Sequence, residues 1–256
     1  MKETRLMMGM PITVEIVDDA SQENGALLDA RRGKENVFNY FHYVDETFST
    51  YKTESEISRI NRGEISEPEW SDDMSIILML SEETKQRTNG FFDIKKPDGS
   101  LDPSGIVKGW AIWNAAKLLQ ADGFKNFFVD AGGDIQTAGH NPEGNPWTVG
   151  IRNPFDQSTI VKTIQTSDGG VATSGTYIRG EHIYNPRDGK PANEIVSLTV
   201  MGPNIYEADR FATAAFAMGA AGIQFIEQLP GFEGYMIDKN GTATMTSGFN
   251  QYEYNR

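Results

Sequence analysis

A carboxylate and a hydroxyl stand in a segment that otherwise reads as buried helix. Residues 207–219 are EADRFATAAFAMG, with Asp209 and Thr213 four positions apart. On a helix that spacing places both on one face. Two oxygen donors aligned in this way suit Mg²⁺, which takes few protein ligands, keeps waters and is often completed by a substrate phosphate. They also have a plain structural use. An aspartate in a first helical turn is stabilised by the dipole, and a helical threonine bonds back to a carbonyl. The pair alone does not decide between these.

Three other segments carry chemistry of a compatible kind. In LDPSGIVKGW, residues 101–110, Asp102 precedes a helix start at Gly105, and Lys108 lies in the first turn. Outward N–H groups and a lysine there suit a phosphate, although caps and solvated lysines produce the same pattern. The GxxxxGK[ST] spacing of a P-loop is missing. VDAGGD, residues 129–134, is a strand closing on two glycines, which suits either a tight hairpin or a close ligand approach. GGVATSG, residues 169–175, is followed by a Gly/Pro-punctuated loop holding His182, a candidate general acid or base. His42, on an amphipathic helix, and His140, before a turn, read as structural.

Composition narrows the classes. The chain has 256 residues, three histidines, no cysteine and a formal net charge of −13. Thiolate chemistry and disulfides are excluded, and a multi-histidine zinc site is disfavoured. The negative charge argues against a nucleic-acid partner held by general basic attraction. An anionic ligand remains compatible, because a site can be locally positive within an acidic protein. No apolar run approaches the ~20 residues of a membrane span. The opening MKETRLMMGMPITVEIV carries no signal peptide. The expected location is therefore cytoplasmic, or exported or lipid-anchored if an N-terminal signal has been removed.

The elements that must position these groups follow from periodicity and breakers. Residues 12–17 alternate as a strand. Residues 25–46 form an amphipathic helix with an interruption near Gly33, and Ser55 caps a short helix. Residues 71–88 are a helix with an acidic first turn, ended by Asn89-Gly90. FFDIKK (91–96) is expected as a strand, 104–121 as a helix, and 125–131 and 134–139 as strand and return strand. A hairpin is expected over 141–154, two strands joined by Ser-Asp-Gly-Gly over 160–175, and a strand at 195–202. The 207–219 helix, a second helical pattern at 220–229 and a strand at 234–238 complete the ordered part, and a polar tail begins at 246. The expected class is α+β, a largely antiparallel sheet with packed helices in one domain spanning 1–256.

Taken in order, eight segments resemble the ApbE family, flavin transferases that move FMN from FAD onto a protein threonine. They are M8-G-M, F48-S-T-Y-K with S55-E-I-S-R-I-N, F92-D, the Asp102–Lys108 motif, V129-D-A-G-G-D-I, V171-A-T-S-G, H182-I-Y-N-P-R-D-G-K-P-A and A208-D-R-F-A-T-A. The resemblance implies an ApbE-like, T-fold-related architecture. It implies Mg²⁺ on Asp209, Thr213 and the Gly105 carbonyl, with His182 as the catalytic histidine. FAD would contact Met8, Tyr51, Asp102, Lys108 and Ile183. The implied partners are FAD as substrate and an acceptor protein carrying a target threonine, such as a flavin-linked redox subunit. Water in place of the threonine would give an FAD pyrophosphatase, and loss of turnover a flavin-binding protein. This sequence departs from the family pattern at Ser104, Glu181 and Asn185, and only Ile94 to Leu101 separate the Phe-Asp segment from Asp102.

Overall fold

The structure, a computed structural model, describes residues 1–17, 25–176 and 184–254. Strands β1 (Lys2–Met7) and β2 (Met10–Ile16) lead into helices α1 (Gly25–Phe48), α2 (Glu56–Asn61), α3 (Asp72–Arg87) and α4 (Ser104–Ala121). Next come β3 (Phe127–Ala131), β4 (Asp134–Ala138), β5 (Trp147–Asn153), β6 (Asp156–Thr166), β7 (Gly169–Gly175) and β8 (Ile195–Gly202). Helices α5 (Ile205–Ala217) and α6 (Gly222–Glu227) and strands β9 (Glu233–Asp238) and β10 (Ala243–Met245) complete the order. Eight strands form one antiparallel sheet, β1-β2-β3-β4-β7-β8-β9-β10, while β5 and β6 pair separately as a ribbon. The class is α+β, as the sequence pattern requires.

Two apolar cores explain the layering. On one sheet face Ile12, Val14, Val129 and Leu198 pack with Phe38 and Phe41 of α1, Ile106 and Ile112 of α4, and Phe211 and Phe216 of α5. On the other face Ile135, Val171, Met201 and Tyr235 meet Val149, Ile151 and Ile164 of the ribbon. Strand β4 is buried along its whole length because it is covered on both sides. Among the described residues no helix is long and apolar enough to cross a membrane.

Caps end the helices where the sequence places them. The Ser55 and Ser71 hydroxyls accept from the N–H groups of Ser58 and Met74. Past α3, Asn89 and Gly90 both take positive φ and turn the chain out of the helix. Helix α1 runs unbroken through Gly33. A Cβ there would stand 2.6 Å from the Phe124 ring, so this glycine admits a neighbour rather than ending a helix.

Several expected elements differ. FFDIKK is not a strand: the segment turns back on itself with a single bridge between Lys95 and Leu101, because Lys96 N–H bonds Ser100 and Gly99 N–H bonds Lys96. Residues 141–145 form a turn closed by Asn141, and β5 beyond it pairs forward with β6. Ser-Asp-Gly-Gly does join β6 to β7, but the two strands lie in different sheets. The polar tail is also folded in as far as Tyr254. Phe249 is fully buried in the second core, and Tyr254 N–H bonds Thr163.

Helix α5 is fixed to the sheet at its first turn. Ile205 N–H donates to the buried Gln136 Oε1 at 2.8 Å, and Asn204 caps Glu207. The turn rests directly on Gly170 of β7, where a Cβ would lie 2.1 Å from Ile205 N. Gly170→Ala is therefore expected to cost about 3 kcal/mol, since backbone on both sides must move. Urea unfolding measures this, and a loss below about 1 kcal/mol would show that the contact relaxes freely.

Candidate active site

The site begins with two helices that come unusually close. Asp209 of α5 lies against Gly109 of α4, where a Cβ would stand 2.6 Å from Asp209 Cβ and 2.8 Å from the Ile205 carbonyl. Only glycine fits. The Asp209 carboxylate, 3% exposed, accepts the Gly109 N–H through Oδ2 at 2.8 Å. The ordinary helical acceptor of that N–H is the carbonyl four residues back, that of Gly105. One turn along α5, Thr213 reaches α4 at Gly105, with its Cγ2 3.3 Å from where a Cβ would be. Asp209, Thr213 and Gly105 thus sit together at one seam.

The neighbouring Arg210 explains why Asp209 faces the seam. About 100° further round the helix, the Arg210 guanidinium is buried against α3, with Glu207 at 2.8 Å and Glu83 at 3.2 Å and with Tyr206 and Phe211 beneath it. This fork fixes the rotation of α5 and turns position 209 toward α4.

Above the seam opens a cavity of about 490 Å³. Its helix-side wall comprises Asp102, Ser104, Gly105 and Lys108 of the α4 start and Asp209 and Thr213 of α5. The ends of the sheet strands supply Gly9, Met10, Asp130, Gly132, Gly133 and Thr173–Gly175, and the ribbon supplies Arg152 and Gln157. Lys108 Nζ lies 2.5 Å from Asp134 Oδ2 and 3.5 Å from Asp209 Oδ1. Asp134 is buried, and its Oδ1 accepts the Thr173 N–H at 2.9 Å. Its Oδ2 meets the ammonium as an ion pair, off the angle of a directed hydrogen bond. Asp102 accepts the Ser104 N–H and lies 3.3 Å from Lys96.

Two buried carboxylates therefore share one ammonium. Burial raises the Asp209 carboxyl to about 7, Lys108 opposes that shift, and the Asp134 charge adds to it. Burial also raises Asp130, against the pull of the Gly133 N–H.

Of the residues singled out in the sequence, Asp102, Gly105, Lys108, Asp209 and Thr213 line this one cavity. Met8 and Tyr51 do not. Met8 takes positive φ in the β1–β2 turn and packs on the main core, so Gly9, Met10 and Pro11 form that wall instead. Tyr51, in the loop after α1, is 97% exposed. His182 and Ile183 lie outside the described residues. Sequence reasoning gave no role to Asp134, Asp130 or Arg152. The Asp-Ala-Gly-Gly-Asp pattern signalled the first two, since a hairpin there brings both carboxylates to one sheet end. Nothing in the sequence pointed from Arg152 to a site formed by other segments.

The family model for the ApbE family matches residues 8–96 and 94–236. The chain belongs to the ApbE family. A FAD:protein FMN transferase of Klebsiella pneumoniae is 33% identical over 160 residues, 59% of this chain and 46% of that protein. The chain thus spans about half the length of such curated relatives. A Haemophilus influenzae protein of the same name is 24% identical over 96% of this chain and 91% of its own. In fold, the flavin transferase ApbE from Vibrio cholerae superposes with a TM-score of 0.83 at 23% identity, over 98% of both chains. The ApbE protein of Thermotoga maritima gives 0.85 at 21% identity, over 100% of this chain and 99% of its own. These likenesses place the ApbE fold around the cavity described above.

The raised Asp209 carboxyl has a consequence for stability. Its folded value near 7 exceeds the ~3.9 of an unfolded aspartate, so the folded chain holds a proton that the unfolded chain releases. The associated stability is present below about pH 4 and is lost as pH rises through 7. In chelator-treated buffer the wild type should lose stability between pH 5 and 8 relative to Asp209→Asn. Equal urea midpoint differences at both pH values would contradict this.

Proposed function

We propose that the cavity binds FAD and that the chain transfers its FMN half to a threonine hydroxyl of an acceptor protein, releasing AMP, with Mg²⁺ required. The reading treats residues 1–256 as one catalytic domain. The carrying observation is the convergence of Asp209, Thr213, Gly105 and Lys108 on one wall of the cavity. The names of the relatives supply the reaction class.

The residues present fit a magnesium ion. All three candidate donors are oxygens, and two buried carboxylates against one ammonium leave a negative charge to be offset. Among the described residues no group of three or more His, Cys, Asp or Glu side chains gathers as a metal site. The set therefore consists of one carboxylate, one hydroxyl and one carbonyl, a number compatible with an ion that keeps waters and takes substrate phosphate oxygens. Asp209, Thr213 and the Gly105 carbonyl would hold Mg²⁺, which supplies charge neutralisation to a pyrophosphate and to departing AMP.

The protein's own groups do the remaining work. The start of α4 lines the cavity, its dipole attracts the pyrophosphate, and Lys108 adds a point charge beside it. The acceptor threonine oxygen bonds to the phosphorus of the FMN half. The bond from that phosphorus to the bridging oxygen breaks, and its electron pair leaves with AMP. The hydroxyl proton passes to His182 in this reading. Lys108 stabilises the charge that grows on the phosphate oxygens.

Incubation with FAD, MgCl₂ and an acceptor domain from a flavin-linked redox subunit tests the proposal. Mass spectrometry should find one FMN on an acceptor threonine, with equimolar AMP. Lys108→Met should lower the rate by about 10²-fold and Asp209→Ala by at least that much. AMP and free FMN without an adduct would instead indicate a pyrophosphatase. Bound FAD with neither product would indicate a flavin-binding protein.

A further inference from the structure

Behind the lining residues Lys108 and Thr173 stands a carboxylate to which no ligand role falls. Asp134, the first residue of β4, is 2% exposed and faces the helices. Its Oδ1 is taken by the Thr173 N–H, which ties β4 to β7 beneath the cavity. Its Oδ2 lies 2.5 Å from Lys108 Nζ, whereas Asp209 Oδ1 lies 3.5 Å from the same ammonium. One flexible lysine head thus has two carboxylates within reach and stands an ångström closer to Asp134. Each carboxylate accepts a backbone N–H that orients it, Thr173 for Asp134 and Gly109 for Asp209. Neither can easily turn away.

We propose that Asp134 is a positioning residue: it draws the Lys108 ammonium toward β4 and so keeps it from closing an ion pair on Asp209. Asp209 Oδ1 then stays open to a cation, and Lys108 stays aimed at the space an anion would fill. Without the Asp134 charge, the nearest carboxylate to Lys108 among the described residues is Asp209, and the lysine competes with a metal for it. This inference rests on the metal reading of the Asp209 site, and it concerns how charge is divided there rather than which reaction follows.

The test is a double-mutant cycle read as Mn²⁺ affinity of the full chain, by calorimetry and by electron paramagnetic resonance, without FAD or acceptor. Asp134→Asn keeps an oxygen for Thr173 and removes the charge. It should weaken Mn²⁺ binding by about tenfold. In a Lys108→Met background the same change should weaken binding by less than about twofold, because the competing ammonium is gone. Thermal melting confirms that each variant is folded, and Asp134→Ser replaces Asp134→Asn if the latter melts far below the wild type. Equal weakening in both backgrounds would overturn the proposal, since Asp134 would then act by its own charge. No weakening in either background would overturn it as well. A wild type that binds no Mn²⁺ would remove the metal reading and the proposal together. Failure of the transferase alone leaves this titration unaffected, so the two failures are separable.

Discussion

The closeness of α4 and α5 at Gly109 is the constraint from which the site follows. With a side chain at that position the helices would separate, and the Asp209 carboxylate would lose the Gly109 N–H. As folded, a carboxylate is buried beside a helix start, and among the described residues a lysine shared with Asp134 is the cation that offsets it. Burying charge in this way costs stability, and folds retain it where a ligand or a partner charge makes use of it. The α5 sequence accommodates the cost with small residues. Ala208, Ala212, Ala214 and Ala215 let the helix settle onto the sheet, while Phe211 and Phe216 each contribute roughly 2 kcal/mol of burial.

The sheet converts that seam into a cavity. Strands β2, β3, β4 and β7 bring their ends together beside the α4 start, and the turns there are built from glycine, which lets a ligand approach the backbone. Gly170 and Gln136 hold the first turn of α5 against the sheet, so the height of Asp209 above the strands is set by contacts one helical turn away. The ribbon on the opposite face contributes Arg152 and Gln157 to the wall. The cavity therefore wraps the sheet end, with a mixed-charge pole at the helices and a separate polar pole at the ribbon.

How much of this the sequence reveals depends on whether the signal is local. Helices α3 and α5 were legible, the first from its acidic first turn and Asn-Gly end and the second from its run of small and apolar residues, because these are properties of neighbouring residues. So was the alignment of Asp209 with Thr213. Gly33 misleads because its purpose is a contact with Phe124, some ninety residues on, that no local pattern reveals. FFDIKK has the composition of a strand but no strand beside it to pair with, and the tight turn at Lys96–Gly99 claims its backbone. The pairing of β6 with β5 rather than β7 is likewise a tertiary choice. Within the site, the residues on α4 and α5 were readable because helix starts leave a sequence signature. The hairpin glycines signalled Asp134 but not the lysine it meets, and Arg152 carried no signal because the ribbon joins the wall only in the folded chain. Tyr51 looked like a ligand residue by resemblance alone, and the fold leaves its ring in solvent.

Anomalous diffraction from crystals of the full chain soaked with MnCl₂ and FAD would locate cation and nucleotide together. A manganese peak is expected within bonding distance of an Asp209 carboxylate oxygen, the Thr213 hydroxyl and the Gly105 carbonyl, with the FAD pyrophosphate against it beside Lys108. A peak elsewhere, or FAD bound with the α4–α5 seam closed by the Lys108–Asp209 ion pair and no metal, would contradict it.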